Sequence, residues 1–352
     1  MMSFKKILVI LSINMLLLFP SMDETMHASS VKLIPGGQSI GISLETKGVM
    51  IVGFHSVNEP SVEDAPASKA GLEVGDTLTK INGVPVSTAS DLSQVLSQQS
   101  KNSKTIQLEI EREGRVKQIT VTPSYNAEGS PQLGLYVRHH TQGIGTVSYI
   151  DPDTGQFGAL GHVVADADTK RAVEIRKGSV LQTHIDGIQK GISGKPGGKI
   201  AIFSKSDPIL GSVTRNSQYG IFGKLQEVPS HALFQSPLTV AKQSEIIEGK
   251  AEMLTVLQDN TIERFGIEIV RAKTQAPGGI TGMLIKITDK ELIDQTGGII
   301  QGMSGSPIIQ NGKLVGAVTH VLVHDPTSGY ALTIEEMVKQ SGQTSIQQKQ
   351  AS

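Results

Sequence analysis

Apolar residues along most of this chain come in short alternating runs broken by glycine and polar turn residues, a pattern that predicts strands rather than helices. Ser39–Ser43 and Gly48–Phe54 read as strands. Ile106–Arg112 and Val116–Val121 alternate as a hairpin turning at Glu113-Gly114, and Asn82-Gly83 predicts a second two-residue hairpin loop. Leu92, Val95 and Leu96 have helical spacing within Ser87–Gln99, with Asp91 in the first turns, and Ala70-Gly71-Leu72 reads as a short helix ending on glycine. Further strands are predicted at Leu133–Val137, Ile144–Ile150 and Phe157–Val164, the last carrying His162. Strands and turns without a helical stripe fill 165–237. Ile246–Leu257, Arg264–Ala272, Gly282–Thr288, Lys313–Val323 and Tyr330–Ile334 follow, with a closing helix in Glu335–Gln340. So many strands at short spacing predict a barrel or a sandwich.

One apolar run departs from this pattern. Lys5 and Lys6 precede Ile7–Phe19, which Pro20 stops, so residues 1–30 read as an export signal. The run falls short of the roughly 20 residues that span a bilayer. Met26-His27-Ala28 is a poor cleavage site, which leaves an uncleaved membrane anchor as the alternative. Tyr125–Gln132 is polar and rich in Gly, Pro and Ser, which marks a linker over 124–132. It divides a domain at 35–123 from one at 133–342. A chain of 352 residues, at roughly 100–200 per domain, has room for both.

The order of elements and turns from Pro35 to Pro123 looks like a PDZ domain of the bacterial arrangement. Ala70–Asp76 and Ile81–Val86 are its most specific segments. Such a domain adds a peptide strand to a sheet edge and holds the terminal carboxylate in a nest of backbone N–H groups. The loop Gly37–Ile42, with Gly37, Ile40, Gly41 and Ile42, is the position assigned to that nest.

Charge names no partner: 32 Lys plus Arg balance 33 Asp plus Glu with no block of one sign, so nucleic acid is not expected. Cysteine is absent, which excludes a thiol nucleophile, a disulfide framework and cysteine metal sites. His320, His324 and Asp325 lack convergent further ligands, so neither metal nor cofactor is expected.

The chemistry concentrates in Gly302-Met303-Ser304-Gly305-Ser306-Pro307. A serine between glycines can present its hydroxyl on a tight turn, with the N–H groups of Gly302 and Ser304 directed at an oxygen that becomes negative. The base it needs is best supplied by His162, in Gly158–Val164. His139-His140 reads as a hairpin edge, His184 and His231 lack a glycine-bounded setting, and His27 and His55 fall outside the second domain.

Gly158–Thr169 (GALGHVVADADT), Gly297–Pro307 (GGIIQGMSGSP) and Gly316–Tyr330 (GAVTHVLVHDPTSGY) follow the PDZ-like region and the export segment. With them the chain, from about Ile40 to Glu336, resembles the stage IV sporulation protein B serine peptidases of endospore-forming bacteria. The resemblance implies a mainly β fold, a PDZ domain followed by a chymotrypsin-like double β-barrel. It places Ser304 on the nucleophile, His162 on the base and Asp289 on the acid, with Asp166, Asp168 and Asp294 as competitors for that last role. Thr319, His320 and Tyr330 are candidates for the specificity pocket. The resemblance also implies export into the space between forespore and mother cell and self-cleavage. A regulatory subunit of a membrane-embedded protease complex would then be cut, activating a mother-cell sigma factor. Two other readings remain: a catalytically silent exported PDZ adaptor that binds carboxyl termini, and a general quality-control serine protease.

Overall fold

A computed structural model describes residues 31–57, 65–99, 103–203, 207–229, 233–234, 236–343 and 346–347. Residues 1–30, read from sequence as an export signal and including His27, and also His231 lie outside them. Among the described residues no helix is long and apolar enough to cross a membrane.

After a short strand β1 (Lys32–Pro35), the chain enters β2 (Ser39–Phe54), which serves two bodies. Its first half runs between β6 (Leu135–Ile150) and β8 (Ile175–Leu181), pairing Ser39 with Thr146 on one side and Ile42 with Val180 on the other. β7 (Gln156–Ala159), β11 (Ile209–Ser217) and β12 (Gly220–Leu225) complete the ring β2-β6-β7-β12-β11-β8, and every pairing in it is antiparallel. Ile40, Ile42, Leu44, Val147, Phe157 and Ile221 fill this first barrel. Alternation of inward and outward residues along the strands is what closes a sheet over such a core.

The second half of β2 leaves the barrel for the PDZ sheet, where Val49 pairs with Leu78 of β3 (Thr77–Ile81). β4 (Ile106–Arg112) and β5 (Arg115–Val121) extend that sheet, turning at Glu113-Gly114 as their spacing predicts. α1 (Pro66–Lys69) and α2 (Ala89–Ser97) flank it. α2 starts on a reciprocal capping box between Thr88 and Asp91, two otherwise orphaned N–H donors being satisfied at once. The chain returns along β6, whose residues 135–138 pair with 50–54 of β2. The PDZ body is therefore joined to the first barrel through one long two-stranded ribbon, in which residues 39–46, expected in the PDZ domain, pair with β6 and β8 of the barrel.

A hairpin of β9 (His184–Gln189) and β10 (Gly198–Ile202) projects from the first barrel toward the second. That second barrel is closed by β13 (Gly249–Val256), β14 (Ile262–Ala276), β15 (Ile280–Ile287), β18 (Asp325–Thr333), β17 (Lys313–Leu322) and β16 (Pro307–Gln310) in this order. Met253, Phe265, Ile285, Met303 and Val318 are in its core. Between β15 and β16 lies α3 (Lys290–Thr296), a helix the sequence reading missed, and α4 (Ile334–Gln340) closes the chain. Ile334, Met337 and Val338 of α4 pack with Tyr149 and Phe222 of the first barrel and Leu254 of the second, sealing the seam.

Candidate active site

Ser304 and His162 come from different barrels and line one cavity of about 470 Å³, together with Leu160, Lys199, Gln301 and Gly302. The serine sits on a turn after α3, with positive φ at Gly302 (93°) and Gly305 (96°). Thr146 of β6 holds that turn from the first barrel. Its N–H donates to the Ser304 carbonyl at 2.9 Å and its Oγ1 to the Gly302 carbonyl at 2.7 Å. Among the described residues no group accepts from the N–H of Gly302 or of Ser304, which leaves both donors for a substrate oxygen.

His162 does not close a strand as expected. Leu160 and Gly161 both have left-handed φ (70° and 69°), so β7 stops at Ala159 and the imidazole is displayed on a turn. Its Nδ1 lies 2.9 Å from the Val163 carbonyl. Donation from Nδ1–H to that carbonyl fixes the tautomer and leaves the Nε2 lone pair as base. Burial lowers the pKa of His162, against the opposing effect of the Val163 carbonyl, so the ring is neutral at neutral pH. His320 stands beside it, ring centroids 5.2 Å apart, and its pKa is pushed down to about 4 by burial and by His162. The Ser304 hydroxyl donates to the Thr319 carbonyl at 2.9 Å rather than to the imidazole. Catalytic bonds of this kind are commonly loose before substrate binds.

The structure does not join Asp289 to His162. Asp289 is the N-cap of α3: one carboxylate oxygen accepts from Leu292 N–H at 3.0 Å and the other from Gly266 N–H at 3.4 Å. Two of the three competitors, Asp166 and Asp168, are engaged elsewhere too. Asp166 is buried and accepts from Arg138 (2.6 Å) and from the N–H groups of Asp168 and Thr169. Burial opposes its ionisation, yet the Thr169 N–H and the Arg138 guanidinium hold its pKa below the usual carboxylate value. Asp168 pairs with the same arginine. The orienting acceptor at His162 is thus a main-chain carbonyl. Asp289→Asn keeps a good N-cap while removing the charge, so kcat is expected to stay within about threefold of wild type. A fall near the ~10⁴ typical of a lost triad acid, read from steady-state kinetics, would return that role to Asp289.

The expected carboxylate nest is also corrected. Gly37 N–H donates to the Val147 carbonyl, Gly41 pairs with both Ile144 and Leu181, and Ile40 and Ile42 are buried in the first barrel. No sheet edge is open there. An edge that is open lies at residues 135–138: β2 pairs with one side of it, and no described strand pairs with the other. α2 packs alongside, with Leu92 and Val95 in one cluster with Leu133, Leu135 and Val137. Leu133-Gly134-Leu135 was the signal for this edge, hidden because the preceding linker seemed to end the domain.

Two closed barrels with a serine and a histidine facing one cavity, and a PDZ sheet carried on the first barrel, define a chymotrypsin-like serine peptidase with a built-in peptide-binding module. The profile described as SpoIVB peptidase S55 matches residues 129–338, and the chain belongs to that family. A PDZ profile matches 39–122. Curated relatives include a probable periplasmic serine endoprotease DegP-like of Pseudomonas putida (strain W619), 29% identical over 142 residues, which are 40% of this chain and 27% of that protein. A putative zinc metalloprotease of Treponema pallidum (strain Nichols) is 32% identical over 77 residues, 22% of this chain and 17% of its own length. The chain thus spans little more than a quarter of the first of these. Among solved structures it is similar to the active form of the Rv3671c protease from M. tuberculosis, with 17% identity, TM-score 0.35, and 57% of this chain and 75% of that one covered. The PDZ domain of an SdrC-like protein from Listeria monocytogenes gives 20% identity, TM-score 0.21, with 26% and 87% covered.

Proposed function

We propose that this peptidase is an exported endopeptidase of sporulation signalling that cuts itself and a regulatory subunit of a membrane-embedded protease complex, so that a mother-cell sigma factor becomes active. The observation that carries the catalytic part is the meeting of Ser304 and His162 in one cavity beside two unengaged N–H donors. Membership of the SpoIVB family supports the sporulation role, and the periplasmic naming of the DegP-like relatives supports export. In the reaction Ser304 Oγ attacks the peptide carbonyl while His162 Nε2 takes its proton. The N–H groups of Gly302 and Ser304 hold the oxyanion, and the imidazolium returns the proton to the leaving amine. Val163 keeps Nδ1–H oriented throughout. Fluorophosphonate labelling tests this chemistry: wild-type protein should be modified at Ser304, and an unlabelled protein would favour the silent PDZ adaptor.

The PDZ edge at 135–138 is proposed to take the carboxyl terminus of a protein partner, lying against α2. A peptide with a free terminal carboxylate should perturb amide resonances in 133–138 and 89–97. The amidated peptide should bind roughly 10- to 100-fold more weakly, since a hydrogen bond to a charged group contributes about 1.5–3 kcal/mol. Perturbation centred on 37–42 would contradict the assignment.

A further inference from the structure

One charged side chain in the serine cavity has no part in the chemistry so far. Lys199 is 7% exposed, and its Nζ donates to Ser39 Oγ at 3.0 Å and to Thr255 Oγ1 at 2.9 Å. No carboxylate pairs with it among the described residues. Desolvation pushes its pKa down to about 7. A buried ammonium without a counter-ion is costly, whereas an apolar side chain of like volume is not. The strand that carries it is also inverted. Lys199 points inward while Ile200 and Ile202 stand 52% and 75% exposed.

What this inward lysine touches is the peptide unit ahead of the nucleophile. Lys199 N–H donates to the Gln301 carbonyl and Gln301 N–H donates to the Gly197 carbonyl, both at 2.9 Å. In a trans peptide the carbonyl and the following N–H point in opposite directions. Holding the Gln301 carbonyl against β10 therefore turns the Gly302 N–H away from it. The lysine stem packs on the same glycine: a Cβ at Gly302 would lie 3.0–3.2 Å from Cδ, Cγ and Cβ of Lys199. The ammonium in turn ties β10 to Ser39 on the first barrel and Thr255 on the second.

We propose that Lys199 is a positioning residue: by fastening β10 between β2 and β13 it holds the Gln301–Gly302 peptide in the orientation that offers the Gly302 N–H to the oxyanion. This rests on the peptidase reading above. A role confined to packing would lower stability and activity together. A positioning role separates them.

The test uses the full chain as wild type, Lys199→Met and Thr255→Val. Lys199→Met is expected to unfold at an equal or higher temperature than wild type. Its kcat should fall about 100-fold, the lower end for a lost oxyanion donor, with KM within about threefold, and fluorophosphonate labelling of Ser304 should slow in parallel. Thr255→Val, which removes one acceptor of the ammonium, should lower kcat in the same direction with KM unchanged, and it decides the matter if Lys199→Met does not fold. Wild-type labelling rates and kcat in the folded variants would overturn the proposal alone. A wild-type protein that fluorophosphonate does not label would overturn the peptidase reading and this inference with it.

Discussion

Replacing Ser304 by alanine is expected to lower peptide-bond hydrolysis about 10⁶-fold, the scale found when a peptidase of this mechanism loses its nucleophile, while leaving the fold in place. The separation of the two effects follows from what the hydroxyl touches. Among the described residues its one hydrogen bond goes to the Thr319 carbonyl, and the turn itself is held through main-chain groups by Thr146, Val318 and Ile300. Losing one such bond costs about 1 kcal/mol. Mass spectrometry of fragments from wild type and Ser304→Ala, with thermal unfolding of both, reads the two quantities together. Cleavage that persists at the same sites in Ser304→Ala would mean that another group, or a contaminating enzyme, cuts the substrate. Residual hydrolysis from the oxyanion donors alone can exceed the uncatalysed rate by about 10³–10⁴, so the comparison has to be made on rates rather than on the presence of product.

The serine and the histidine that share the cavity were legible because both sit in turns that local sequence marks with glycine. Gly302, Gly305 and Gly161 adopt φ values that L side chains rarely visit, so glycine is required there for the hydroxyl and the imidazole to be displayed. Their partners were not legible. Asp289 precedes Lys290-Glu291-Leu292, and an aspartate three residues before a buried leucine is as much a helix start as a catalytic group; the helix claims it. Val163 meets His162 Nδ1 through its main-chain carbonyl, which no side-chain pattern reports. Lys199 breaks the ordinary reading of alternation, because Ile200 and Ile202 rather than the lysine would be placed inward. Most of the strands were legible from their alternation, but their allegiance was not. Ser39–Ser43 and Gly48–Phe54 read as two strands of the PDZ region, and only long-range pairing with β6 and β8 shows that they are one strand whose first half closes a barrel. Pairing partners are set by tertiary packing, which a local pattern does not encode.

Gly305→Ala is expected to be the most damaging conservative substitution near the site, through the contact between barrels rather than through the residue's own strain. A Cβ at this position would lie 1.9 Å from the Thr146 carbonyl oxygen and 2.5 Å from Leu160 N, both main-chain atoms of the first barrel that cannot rotate away. The Gly305 N–H meanwhile donates to the Val318 carbonyl of the second barrel at 2.7 Å, so the residue is clamped from both sides. The substitution can be accommodated only by pushing β6 and the His162 turn away from the serine. A loss of about 3–5 kcal/mol is expected, in the range reserved for clashes of this kind, or roughly 6–20 °C in unfolding temperature for a body of this size. Activity should fall further than stability, because the displacement separates the nucleophile from its base. Gly312→Ala supplies the comparison: it has a similar positive φ of 73° on the turn between β16 and β17, but nothing within 4 Å of the added methyl. Left-handed backbone alone costs about 1–2 kcal/mol, and Gly312→Ala should lose that much with kcat unchanged. Equal losses in the two variants would show that backbone conformation, and not the approach of the barrels at Thr146, sets the cost. A large excess in Gly305→Ala, accompanied by slower labelling of Ser304, would place the packing of the two barrels at the centre of catalysis.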